Sequence, residues 1–113
     1  MRSSSTAAAK LKVAAPVFAA LGDETRLALI ARLCSGGSMS ITRLTSGSAV
    51  TRQAITKHLR VLAEAGLVRG VRRGRERIWE LEAGKLEEAG QCLEAISRRW
   101  DNALGRLKKF VEE

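Results

Sequence analysis

Arg52, Gln53, Lys57 and Arg60 fall at spacings that place long polar side chains together on one side of a helix. Arginine or lysine can donate to O6 and N7 of guanine, and a glutamine amide can pair with N6 and N7 of adenine. Thr51 and Thr56 flank them with hydroxyls suited to phosphate oxygens. Downstream, Arg72, Arg73, Arg75 and Arg77 crowd around Gly74. They could clamp backbone phosphates or enter a minor groove, where arginine is favoured when the groove is narrow. Between Thr51 and Arg77 eight basic residues face only Glu64 and Glu76, a net +6 out of +8 for the whole chain. Such a concentration suits a polyanion. His58 is the single histidine. Without neighbouring ligands it is expected to bond a phosphate or nearby backbone, since a metal site needs several donors.

The elements that must position these groups can be read from apolar spacing and stop signals. Residues 1–11, with their Ser-Ser-Ser-Thr-Ala-Ala-Ala run, are expected to form a disordered tail ahead of one domain over 12–113. A first helix is expected over Val13 to Leu21, with Pro16 in its first turn, and Gly22 ends it. Asp23 should cap a second helix that puts Leu27, Ile30, Ala31 and Cys34 on one face before Gly36-Gly37. A short third helix is expected near Ile41 to Thr45. Thr51 then caps a fourth, whose stripe of Ile55, Leu59 and Leu62 runs to Ala65 before the stop at Gly66. Leu67 to Val71 and Ile78 to Glu82 read as a hairpin. A final helix over Lys85 to Val111 carries Leu86, Ala89, Leu93, Ile96, Trp100, Ala103, Leu107 and Phe110 in alternating steps of four and three. The expected fold is mainly α with a small β-hairpin wing, a winged helix-turn-helix of order α-α-α-α-β-β-α. At roughly 1.5 Å per residue the last helix would extend about 40 Å, more than so small a domain covers by itself. A homodimer through the first and last helices is therefore expected, with Val17, Leu86, Leu93, Ile96, Trp100, Leu107 and Phe110 in the interface.

Composition narrows the function classes. A chain of 113 residues suits one domain with a modest core. A pI near 10.5 favours nucleic acid before membrane. Two Trp, two Phe and no Tyr are few for stacking single-stranded bases, so duplex DNA is expected. Lys10 and Lys12 ahead of VAAPVFAALG imitate a signal peptide, but the apolar core is short and continues into an amphipathic pattern. No stretch approaches transmembrane length; a cytoplasmic protein is expected. Nothing marks a nucleophile elbow, a carboxylate pair in an apolar setting or a phosphate-binding glycine loop, and neither enzyme activity nor a cofactor is expected.

The segments VFAALGDETRLALIARL, ITKHLRVLAEAGLV and RRGRERIWEL together resemble the ArsR-type family of small bacterial winged-helix repressors. The diagnostic pieces are Gly22-Asp23-Glu24-Thr25-Arg26, Lys57-His58-Leu59 and Ala65-Gly66-Leu67-Val68. The resemblance spans about residues 13 to 110. It implies a dimer on a palindromic DNA operator, commonly repressing its own transcription unit. The chain departs from the metal-sensing members. Where they carry a Cys-Val-Cys type motif, this sequence reads Ser40-Ile41-Thr42-Arg43-Leu44-Thr45, and no histidine follows His58 to serve a last-helix site. No metal is expected, and the resemblance leaves the inducer unspecified.

Two alternatives stay open. Cys34 and Cys92, the only cysteines, could form a thiol sensor or take up a soft trivalent arsenic species; a lone cysteine on an apolar face otherwise packs as a small hydrophobe. A basic protein-interaction module meeting an acidic partner is the other, although such a partner does not require an arginine-rich wing behind a capped helix.

Overall fold

The computed structural model describes residues 7–112. Its elements are α1 (Ala7–Leu21), α2 (Glu24–Gly36), β1 (Met39–Ser40), α3 (Ile41–Thr45), α4 (Arg52–Glu64), β2 (Val68–Arg73), β3 (Glu76–Leu81) and α5 (Ala83–Glu112). The winged helix-turn-helix order is present, with one strand more than expected. Met39 and Ser40 pair antiparallel with Trp79 and Ile78, so the hairpin becomes a three-stranded sheet of order β1-β3-β2. Two residues between a glycine pair and a helix carry too little periodicity to announce a strand.

Local signals set most boundaries. The Asp23 carboxylate accepts from Arg26 N at 3.0 Å and Thr51 Oγ1 accepts from Ala54 N at 3.1 Å, each satisfying a first-turn amide. Gly66, at φ 80°, ends the turn after α4 in the left-handed conformation that a Cβ disfavours. Gly74, at φ 63°, takes the first central position of the two-residue hairpin turn, where a type II′ turn needs glycine.

Helix α1 departs from expectation. It already contains Ala7 to Leu11, assigned above to a tail, whereas residues 1–6 lie outside the described residues. Pro16 therefore sits inside the helix, not in its first turn, and cannot donate to the carbonyl of Lys12. Alanine, the best helix former, occupies seven of the fifteen positions and offsets that cost.

The core is built from one face of each helix against the sheet. Leu44, Ile55, Leu59, Leu62 and Leu67 are wholly buried, joined by Val17 and Ala20 of α1, Leu29, Ile30 and Leu33 of α2, and Val68 and Trp79 of the sheet. The face assigned to α2 is reversed: Ile30 is buried as expected, but Leu27, Ala31 and Cys34 face solvent. Both sides of ETRLALIARLCSG are apolar, so spacing cannot choose between them. Arg32 bears on the choice, because its guanidinium donates to Leu44 O at 2.9 Å and Arg43 O at 3.0 Å, covering the last carbonyls of α3.

Helix α5 packs on α1 and then runs out of neighbours. Ala89 and Cys92 are buried, Leu86 partly so, and beyond Cys92 no described residue is. The protein measures 66 × 38 × 20 Å along its principal axes. No described helix is long and apolar enough to cross a membrane.

Candidate nucleic-acid interface

The helix-turn-helix consists of α3, the turn over residues 46–51, and α4. Burial of Ile55, Leu59 and Leu62 fixes the roll of α4 about its axis. That roll brings Thr51, Arg52, Gln53, Thr56, Lys57 and Arg60 around one open depression, which only Ala54 completes. Among the described residues Arg52, Lys57 and Arg60 have no carboxylate partner. The amides of Arg52 and Gln53 open the helix, where N–H groups have no acceptor within it and the dipole favours an anion. Cations without a carboxylate partner among the described residues and the open helix-start amides thus share one surface.

The two threonines differ. Thr51 uses an oxygen lone pair for the cap, leaving its hydroxyl hydrogen to donate. Thr56 Oγ1 donates to Arg52 O at 2.9 Å, which occupies the hydrogen a phosphate would need. Thr51 is the better phosphate donor of the pair.

His58 is turned away from the depression. Its Nδ1 lies 3.3 Å from Arg26 Nη1 and 3.8 Å from Asp23 Oδ2. Since a guanidinium only donates, Nδ1 is the acceptor in the Arg26 bond. Nδ1 thereby makes a side-chain joint to α2 that spacing along the chain did not announce. Arg26 in turn donates through Nε to Ala20 O at 2.5 Å, tying α1, α2 and α4 at one point. The amide of Arg26 above all, with the Arg26 guanidinium adding to it, holds the Asp23 carboxyl below its ordinary value of 3.8. Sequence reading took Gly22-Asp23-Glu24-Thr25-Arg26 and Lys57-His58-Leu59 as separate signatures. The contact joining them spans 32 positions and left no periodic signal.

In the wing, alternation along the strands sorts the arginines. Arg72 stands opposite Arg77, Gly70 opposite Trp79 and Val68 opposite Leu81 on the face turned to the core. Arg69 opposite Glu80 and Arg73 opposite Glu76 occupy the outer face. Arg77 lies over the Trp79 ring, 5.8 Å from its centroid. Gly70 makes room for its stem, since a Cβ there would meet Arg77 Cδ at 2.9 Å. Trp79 itself is buried and packs the wing on the body as expected. Arg73 is paired with Glu80, whereas Arg72 and Arg75 have no ion pair among the described residues.

The helix-turn-helix domain family matches residues 21–71, from the last residue of α1 into β2. An ArsR-like transcriptional regulator from Rhodococcus sp. RHA1 superposes with a TM-score of 0.72 at 37% identity, covering 88% of this chain and 92% of that one. The chain belongs to the ArsR family. A crystal structure of a possible transcriptional regulator for arsenical resistance has 32% identity and a TM-score of 0.65 over 80% of this chain and 90% of its own. An uncharacterised HTH-type transcriptional regulator of Bacillus subtilis, YuzN, is 40% identical over 55% of this chain and 74% of that protein. As an ArsR-family member the protein is a DNA-binding transcriptional regulator, and that class is not one of enzymes. Among the described residues no group of three or more His, Cys, Asp or Glu side chains is placed to hold a metal ion.

The remaining ArsR-type expectations divide. Val17, assigned to a dimer interface, is buried in the core of its own chain, because α1 turns it toward the other helices. Leu86 rests partly on that core. Leu93, Ile96, Trp100, Leu107 and Phe110 are exposed, Trp100 at 65% and Phe110 at 77%. Leu11, Val13, Leu104 and Val111 are exposed too and were not singled out from sequence. Leu104 could have been, lying one turn past Trp100. Cys34 is exposed on α2 and Cys92 is buried where α5 meets α1; both are free thiols.

Proposed function

We propose that the protein is a cytoplasmic, dimeric autorepressor that binds a palindromic operator with α4 in the major groove. In this reading Arg52, Gln53 and Lys57 meet base edges, and Thr51, Arg60 and the first-turn amides of α4 hold phosphates. The wing lies on the backbone or in the minor groove. The observation that carries it is the depression on α4, where three cations without a carboxylate partner among the described residues share one face with the open helix start. Two such helices, related by a twofold axis, match half-sites about 34 Å apart on one side of the duplex.

The twofold partner is proposed to lie along α5. Leu93, Ile96, Trp100, Leu104, Leu107 and Phe110 repeat in steps of three and four, and Leu11 and Val13 of α1 are exposed as well. A second copy using the same stripe would remove that apolar surface from water.

The direct test is fluorescence-anisotropy titration against duplex from the upstream region of its own gene, with a scrambled duplex as control. Tight binding that prefers the upstream duplex is expected. With about six to ten phosphate contacts per dimer, affinity should fall roughly 10³ to 10⁵-fold between 50 and 200 mM salt. Equal binding to both duplexes would overturn autoregulation, and binding to neither would overturn the α4 assignment.

A further inference from the structure

We infer that Glu80 determines which wing arginines meet DNA, withholding Arg69 and Arg73 and leaving Arg72 and Arg75 to hold phosphates. The inference rests on the DNA-binding reading above and assigns the wing a discriminating residue that is itself an acid.

The two faces of the hairpin are charged differently. On the outer face the Glu80 carboxylate serves two guanidiniums at once: Oε1 accepts from Arg69 Nε at 3.1 Å, and Oε2 lies 3.5 Å from Arg73 Nη2. Glu82 Oε1 reinforces the first at 3.2 Å. On the core-side face Arg72 and Arg77 stand directly opposite each other in the strand register. Like charges so placed repel, and among the described residues no carboxylate relieves them. Arg75 extends from the turn, equally unpaired. Arg77 is committed to the Trp79 ring by its position over Gly70. Arg72 and Arg75 are therefore the wing cations free to move onto a phosphate.

An exposed ion pair is weak, and a phosphate could displace it. The weakness of the pair does not remove the effect. Pulling Arg69 or Arg73 onto DNA would leave the Glu80 charge uncompensated close to the phosphates, where it repels the same duplex. Glu80 consequently opposes any docking that rolls the outer face of the wing onto the backbone. The sequence-independent share of binding is reduced while base contacts by α4 are untouched, which raises the ratio of specific to non-specific affinity.

The test measures salt dependence of binding to upstream and scrambled duplexes for Glu80→Gln, for Arg69→Gln with Arg73→Gln, and for Arg72→Gln with Arg75→Gln. Glutamine keeps the size and the acceptor oxygen while removing the charge, and circular dichroism melts check that each variant folds. Each phosphate that a cation neutralises adds about 0.9 to the steepness of log K against log salt, or about 3.5-fold over a fourfold change in salt. Glu80→Gln is expected to tighten the scrambled duplex and steepen its slope by about one to two units per protomer. The Arg72 and Arg75 pair should flatten it by a similar amount, and the Arg69 and Arg73 pair should leave it nearly unchanged. An unchanged slope for Glu80→Gln, or equal flattening by the two arginine pairs, overturns the inference while the DNA reading stands. Failure of the wild-type protein to bind either duplex brings down both.

Discussion

Arg26 Nη1 and His58 Nδ1 meet at 3.3 Å across 32 positions of sequence, joining the first turn of α2 to the middle of the helix that carries the side chains proposed to read bases. Arg26 also holds Ala20 O, and the Asp23 cap stands 3.8 Å from the imidazole. The tilt of α4 on the body thus depends on polar contacts at one point as well as on Leu59 and Leu62 beneath it.

Replacing His58 by alanine should loosen that joint without touching the DNA-facing side chains. A net hydrogen bond is worth about 1 kcal/mol, which in a domain of this size corresponds to a fall in melting temperature of roughly 4–8 °C. Affinity for the upstream duplex should drop several-fold with an unaltered salt slope, because no phosphate contact is lost. A flatter slope would instead make His58 a phosphate ligand.

Asp23 sets an acid limb to stability. Its folded pKa lies below the ordinary 3.8, so the native state binds fewer protons than the unfolded state across that interval. The cap therefore contributes fully above about 3.8 and its contribution fades as pH falls through the lower, native value. Urea denaturation of the wild type and Asp23→Asn should show the wild type ahead at pH 6. That lead should shrink in the acid range; a constant lead at all pH values would contradict the assignment.

Lys57 is predicted to discriminate between sequences. Losing a good base-edge contact costs about 1–3 kcal/mol of discrimination. Lys57→Ala should therefore weaken the upstream duplex about 5- to 150-fold while changing the scrambled duplex far less. Competition titrations with single-base variants would locate the base pair it reads. Uniform weakening on every duplex would assign Lys57 to the backbone.

Trp100 tests the proposed pairing of α5. With two-thirds of its surface exposed in the single chain, Trp100→Asp should cost the folded protomer little. It should drive sedimentation from a dimer toward a monomer and lower operator affinity with it. If the wild-type protein sediments as a monomer at all concentrations, the dimer proposal fails outright.

Local chemistry made a good part of this legible in advance. Asp23 and Thr51 cap the helices they were expected to cap, since a side-chain oxygen and an amide three residues later need nothing distant. The 51–65 segment has polar and apolar residues on different sides, and its buried and open faces fell where spacing put them. Spacing failed in α2, apolar on both sides, so that Leu27 and Cys34 were placed inside and stand outside. It failed again for Val17, because apolar residues on α1 serve both the core and the exposed stripe.

The sequence by itself determined the class of the protein: a capped helix bearing cations on one face, a glycine-centred basic hairpin and a long apolar-striped helix, each set by near-neighbour sterics and hydrogen bonding. Tertiary structure alone decided which charges are free. Arg73 reads the same as Arg72 and Arg75 in the chain, but strand pairing puts it, with Arg69, beside Glu80 and leaves the others without a carboxylate partner among the described residues. His58 likewise went to Arg26 and not to the open face. Ion pairing acts over a few ångströms of space, and which residues lie within that reach is settled only when strands register and helices pack.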